Sequence, residues 1–465
     1  MKRIPALALA VFLAGCAMVG PDYRRPQIDL PATYADGAKA QDAALQVPAD
    51  WWQLYRDPVL DDLVGSGLKN NADLRVAAAR IEEAEAMLRE ANALFFPEID
   101  GNAGAGRSKF STRTGTLPPS IPAIRSSFQL TATTTFELDF WGRLRRAAEA
   151  ARAQYLATGY GRDVVALTLV AGIAQTYFAV RSLDAQILVS QETLQAAEES
   201  LAIARKRADA GLVPELDANQ AAANRAQLAA QITDLRRQRA TTVHQLGVLT
   251  GRLDLKLDAG DLRQLPSPPL PPAGLPSTLL ERRPDLRQAE AQLASATAQI
   301  GVARAAQFPT FSLTASLGRQ TKELNDMFSS GAGLWSLGLN VLGPIFDAGR
   351  YAARTQQAEA RARQSAASYE KAAQTAFREV SDALSNVSYA SDAERDLQER
   401  VDQARNSLKL ARLRYDSGYS AYIEVLDAQR TLNDAQLALV RNRQAYLAFT
   451  VDLMNALGGG WAEAR

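Results

Sequence analysis

The chain has 465 residues, 47% of them hydrophobic, with 52 basic side chains against 51 acidic ones. That is the composition of a folded protein long enough for more than one domain, and the balanced charge excludes a surface built for nucleic acid. A single histidine and a single cysteine, in unrelated contexts, exclude a zinc, haem or Cys-His centre, so no metal or cofactor is expected and no enzyme constellation is visible.

The start, MKRIPALALAVFLAGC, has a positive end, a short apolar core and small residues before Cys16. This reads as a secretory signal over residues 1–15, too short to stay as a membrane anchor. Its ending, Leu13-Ala14-Gly15-Cys16, is similar to the lipobox of bacterial lipoproteins, in which the cysteine becomes an acylated N-terminus; an ordinary exported protein with a stray cysteine is the plainer alternative. Ala17, not aspartate, follows, which by resemblance to sorted lipoproteins favours the outer membrane. Residues 16–60 are read as a lipidated N-terminal segment. No hydrophobic run is expected to reach the roughly 18 residues of a spanning helix.

The rest is written twice. NADLRVAAARIEEAEAMLREANALFFPEIDGNAGAGR aligns without gaps on RPDLRQAEAQLASATAQIGVARAAQFPTFSLTASLGR, 212 positions later, and Gly142-Arg143 and Gly211 recur at Gly349-Arg350 and Gly418, 207 positions later. The difference falls in a loop between Arg107 and Gly142. Repeat 1 occupies residues 61–264, a proline-rich connector 265–276, repeat 2 277–457 and a tail 458–465.

In each repeat an Ala/Glu/Arg-rich helix ends at Phe-Pro, since proline cannot continue helical hydrogen bonding. Two strands follow, at about 98–108 and 126–140 and again at about 310–319 and 333–342. The second strand alternates strictly: Phe128, Leu130, Phe136, Leu138 and Phe140 on one face, Gln129, Thr131, Thr133, Thr135, Glu137 and Asp139 on the other. Trp335, Leu337, Leu339 and Val341 mark the dry face of the fourth; the first is weak.

A long helical hairpin then runs from about 143 to 250 and from about 350 to 457. A run of 68 residues would extend roughly 100 Å. Its apolar seam has a seven-residue period, through Ile173, Val180, Ile187, Leu194, Leu201 and Ala208, and through Val380, Val387, Val401, Leu408 and Tyr415. That spacing drives left-handed supercoiling against a partner helix, and Leu183, Ser190, Ala197 and Ala204 form a mostly small companion row. His244 falls in a helical run as a surface or interface residue.

Four amphipathic strands cannot close a barrel, for which about eight is the minimum, and open edges are not tolerated in lipid. Several copies must pool their strands, or the sheets are soluble and the protein is a lipid-anchored periplasmic scaffold. Here the chain resembles the TolC-like outer-membrane factors of tripartite export systems, in the lipoprotein branch that includes OprM and NodT. The resemblance rests on Cys16 with GPDYRRP after it, WWQLYRDPVLDDLV, the doubled helix-strand pattern, LPSTLLERRPDLRQAEAQL, FDAGR and SGYSAYIEVLDAQRTL.

It implies a mainly α protein with a transmembrane β-barrel: a homotrimer with twelve strands in the outer membrane and a coiled-coil α-barrel in the periplasm. It implies a passive exit duct for drugs or other small molecules, joined through a periplasmic adaptor to an inner-membrane pump of the RND class. By the same resemblance Glu424, Asp427 and Tyr415 belong to a periplasmic gate, and Gly211-Leu212-Val213 and Gly418-Tyr419-Ser420 are adaptor-docking tips. Acidic residues in a helix's first turns are also favoured by its dipole, Tyr415 also fits the coiled-coil seam, and a hairpin needs a turn glycine regardless. Ser420 stands where relatives carry a locking arginine, leaving Arg412 or Arg414 as substitutes. Glu137 and Asp139 are expected to line a solvated lumen wall, and Trp141 an interfacial aromatic belt.

Overall fold

The computed structural model describes residues 18–31, 33–34, 47–111, 113, 122–270 and 282–461; Cys16 and part of the proline-rich connector lie outside them. The elements are α1 (Pro58–Asn70), α2 (Ala72–Ala93), β1 (Glu98–Lys109), β2 (Ile124–Leu138), α3 (Arg143–Asp209) and α4 (Glu215–Thr250). There follow α5 (Pro284–Ala305), β3 (Thr310–Thr321), β4 (Gly333–Leu342), α6 (Arg350–Asp416) and α7 (Tyr422–Ala456). By internal contacts the chain forms two units, each drawn from both repeats.

The first unit, Met1–Gln27 with Arg80–Thr158 and Gln288–Tyr369, holds all four strands in one antiparallel sheet of order β1-β2-β3-β4. Phe140 lies beyond the end of β2 instead of on it; half-buried, it packs edge-on against Phe311 with ring centroids 5.0 Å apart. Trp141 stacks on Phe308 at 4.6 Å, and its indole N–H donates to the Pro309 carbonyl at 2.7 Å. The N-terminal stretch is clamped here by the buried Arg146, which donates to Asp22 and Glu149, each at 2.7 Å.

The second unit, Ile28–Ala79 with Gly159–Arg287 and Glu370–Arg465, holds the main core and the hairpin ends. Asp57 starts α1 by accepting from the Val59 N–H at 2.9 Å, with Pro58 pre-set at the first helical position. This lays Trp51, Tyr55, Leu60 and Leu63 against Ile173, Tyr177, Phe178, Leu447 and Val451 in one buried cluster. A buried polar chain crosses it: Tyr177 donates to Asp57, and the Arg181 guanidinium donates to the Tyr177 hydroxyl at 2.8 Å and to the Asp258 carbonyl at 2.7 Å. Burying a charge is tolerable only when it is paired in this way.

The seven-residue seam is buried at Ile173, Val180, Leu201, Val380, Val387, Val401 and Leu408, and the companion row is buried throughout. One expectation fails: part of α3 is long and apolar enough by composition to cross a membrane. Half of that window is buried, and its Ile173, Ala174, Tyr177 and Phe178 belong to the core, so its apolarity is explained by packing.

Candidate functional site

Two features stand out, one in each unit. In the sheet, directly paired residues share a face, so the register decides whether the dry positions of separate strands merge. They do. Leu130 pairs with Ala103 and Arg319, Phe136 with Leu313, and Leu138 with Phe311; across the next ladder Leu313 faces Leu339, Ala315 faces Leu337, and Leu317 faces Trp335.

The result is a mostly apolar face, interrupted by Thr134 and by Arg319 toward the end of β3, in which Trp335 is 78% and Leu337 73% exposed. Phe128, Phe136 and Leu138 are half-buried within it, Leu130 and Leu339 exposed. An apolar surface of that extent calls for a partner or a lipid phase. The opposite face carries Gln129, Thr131, Thr133 and Thr135 beside Ser316, Ser336 and Asn340, with the two serine hydroxyls 2.7 Å apart.

At the foot of the sheet Glu137 and Asp139 are not a free wall. Glu137 accepts two bonds from the Arg143 guanidinium, at 2.9 and 2.6 Å, and Asp139 accepts from the backbone N–H groups of Leu144 at 3.1 Å and Arg145 at 3.0 Å. Asp347 caps α6 likewise, accepting from the Gly349 N–H at 3.0 Å and the Tyr351 N–H at 2.8 Å, which holds its carboxyl below the ordinary aspartate range. Both long helices thus begin at an aspartate followed by a left-handed glycine, Gly142 at φ 77° and Gly349 at φ 85°.

The second feature is the free end of the two hairpins. Each long helix stops in the same way. The Leu212 N–H donates to the Arg207 carbonyl and the Gly211 N–H to the Ala208 carbonyl, both at 2.9 Å; Tyr419 and Gly418 repeat the pattern on Arg414 and Tyr415 at 2.8 and 3.0 Å. Glycine supplies the left-handed residue that this paired closure needs, at φ 68° and 78°. Leu212 and Tyr419 are then left 74% and 79% exposed at the tips, with Val213 half-buried.

Of the expected gate residues, Tyr415 joins the two hairpins. Its hydroxyl donates to Asp217 at 3.3 Å, the Arg207 guanidinium lies 5.3 Å from its ring centroid, and Tyr422 packs edge-on at 5.3 Å. Burial, then the Asp217 charge, raises the Tyr415 pKa, so the phenol stays a donor. Arg207 also reaches Asp416 at 3.3 Å, a second link between hairpins.

Glu424 pairs with Arg414 at 3.6 Å on an exposed surface. Asp427 is exposed and has no side-chain partner among the described residues. The Ser420 hydroxyl is buried without a partner, so the arginine beside the acidic residues is Arg414. Sequence reasoning missed Arg207, Asp217 and Asp416, although the repeat was the available signal: the 207-residue offset lays Arg207 on Arg414 and Asp217 on Glu424.

The outer membrane efflux protein family model matches residues 63–252 and 275–459. The solvent efflux pump outer membrane protein SrpC of Pseudomonas putida is 36% identical over 471 residues, covering 100% of this chain and 99% of that one. The probable outer membrane lipoprotein SilC of Salmonella typhimurium is 33% identical over 470 residues, with 99% of each chain covered. The crystal structure of the Campylobacter jejuni CmeC outer membrane channel superposes with a TM-score of 0.91 at 25% identity, covering 97% of this chain and 96% of that one. The chain therefore belongs to the outer membrane efflux protein family, as the outer-membrane channel component of an efflux system.

Proposed function

We propose that the protein is a homotrimeric, passive exit duct whose three sheets close a twelve-stranded barrel in the outer membrane. The observation that carries this reading is the extended, mostly apolar face on a four-stranded sheet with two open edges. In lipid each unpaired edge N–H and C=O would cost several kcal/mol, roughly, so the edges must be met by other copies. Acylation at Cys16 would tether each chain to the same membrane. The hairpin ends form the periplasmic gate, with Tyr415 in the links between hairpins and Glu424 and Asp427 as charged rings. The exposed tips at Gly211-Leu212-Val213 and Gly418-Tyr419-Ser420 dock a periplasmic adaptor, which connects the duct to an inner-membrane pump of the RND class.

The duct does no chemistry; cargo, drugs or other small molecules, is chosen by the pump. The test is to purify the mature protein in detergent, cross-link it and reconstitute it in planar bilayers. A cross-linked trimer with ion conductance is expected. A monomer that stays soluble without detergent and conducts nothing would overturn the duct and leave the scaffold reading.

A further inference from the structure

The charges on the strands are sorted by face. The carboxylates of Glu98, Asp100 and Glu137 stand on the wet face, whereas Arg107 and Lys109 on β1 and Arg319 on β3 stand on the apolar one; Arg125, on the wet face, is the exception among the strand cations. The three cations are also sorted along the strands. Where the strands join the helices, Ile99, Leu138, Phe311 and Val341 keep the face apolar. The cations lie toward the opposite end, which also carries the exposed rings of Phe110, Phe328 and Trp335.

No carboxylate neutralises them. Arg107 and Lys109 have no hydrogen-bond or ion-pair partner among the described residues, and the β1–β2 connection, residues 110–123, contains no Asp or Glu. Arg319 steadies the β3–β4 connection: its Nη1 donates to the carbonyls of Met327 at 3.3 Å and Ser329 at 3.1 Å, and the guanidinium lies 5.7 Å from the Phe328 ring centroid. That uses one nitrogen. Its Nε and Nη2 are without a partner among the described residues, and neither Glu323 nor Asp326 pairs with it.

We propose that Arg107, Lys109 and Arg319 bind the phosphates of the phosphorylated glycolipid of the outer leaflet, lipopolysaccharide, on the outer wall of the barrel. The inference rests on the duct reading, which puts the helices in the periplasm and therefore the cation-bearing end of the sheet in the outer leaflet. A cation facing lipid is costly at mid-depth and much less so near an interface, and aromatic rings mark that level. The match is amphiphilic: phosphates meet the cations, through the charge-assisted contacts that guanidinium groups make well, while acyl chains lie along Leu317, Trp335 and Leu337 below them.

The spacing favours a headgroup over a free ion. Arg107 stands opposite Ser126 and Arg319 opposite Leu130, on the two sides of β2, so ideal sheet spacings put their Cα atoms roughly 17 Å apart. A single phosphate cannot touch both, whereas a headgroup carrying two phosphates offers one to each.

The test is native mass spectrometry of the full-length protein in detergent, titrated with bisphosphorylated lipid A, with its dephosphorylated form and with inorganic phosphate. Bisphosphorylated lipid A should bind at least about tenfold more tightly than the dephosphorylated form, and millimolar inorganic phosphate should not displace it. Arg107→Gln with Lys109→Gln should weaken binding at least about fivefold, and adding Arg319→Gln should weaken it further. Arg319→Lys, which keeps the charge, should retain most of the affinity, and Arg125→Gln on the wet face should change nothing. Because Arg107 and Lys109 hold no other described residue, their double variant carries the test even if Arg319→Gln disturbs assembly. Equal binding of the two lipid A forms, unchanged binding in the double variant, or displacement by inorganic phosphate would overturn the inference while trimer and conductance persist. Loss of trimer and conductance in the unmodified protein would instead remove the duct reading beneath it.

Discussion

Tyr415 is a seam residue that also links the two hairpins: its ring packs on Tyr422 while its hydroxyl donates to Asp217 on the other hairpin. Half-exposed hydrogen bonds and ion pairs contribute about 0–1 kcal/mol each, so their effect should fall on the position of the hairpins more than on stability. Tyr415→Phe with Asp217→Asn is expected to raise single-channel conductance several-fold in planar bilayers with little change in Tm; unchanged conductance would return Tyr415 to packing alone. A different residue bears on stability. Asp452 accepts from the Gln175 amide at 2.6 Å, yet burial raises its pKa. A carboxyl with a raised folded-state pKa destabilises the fold above that pKa, and the penalty fades as pH falls through it. Asp452→Asn should therefore raise Tm at neutral pH, and the gain should shrink toward the ordinary carboxylate range near pH ~4.

Among the elements, the strands carry the sharpest expectation. A charge on the lipid side of a barrel costs up to ~2–4 kcal/mol for Arg or Lys at the midplane and less for Asp, whereas the wet face already carries hydroxyls. Leu130→Asp or Phe136→Asp should sharply reduce assembled trimer in membrane fractions, and Thr133→Asp should assemble normally; equal tolerance of all three would mean that the face of Leu130 and Phe136 is not in lipid. These faces were legible because period-2 alternation depends only on neighbouring residues, and the repeat made the weak β1 visible through its strong copy, β3. The coiled-coil seam was legible for the same reason. What local pattern could not supply was the job of individual charges. Glu137 and Asp139 alternate as wall residues should, yet the chain bends back immediately after Leu138, so Arg143 and the first N–H groups of α3 claim both carboxylates. The contacts of Tyr415 with the other hairpin are made by residues far away in sequence, Arg207 and Asp217, and only the repeat offset hinted at them.

At the scale of the assembled molecule, three copies would bring three Glu424 and three Asp427 carboxylates to one aperture, and the two positions differ in a way that one chain already determines. Glu424 has Arg414 beside it at 3.6 Å, so its ring is partly neutralised, while Asp427 has no cation partner among the described residues. A ring of unpaired like charge at a constriction concentrates cations. Asp427→Asn should therefore reduce cation selectivity, read as the reversal potential under a salt gradient. Glu424→Gln removes a negative charge and also frees Arg414, which should push the reversal potential further toward anions than the loss of one carboxylate alone. Adding Arg414→Gln to Glu424→Gln should recover part of that excess. If the reversal potential is the same in all of these variants, the carboxylates do not line the conducting path and serve only the N-terminal turns of α7.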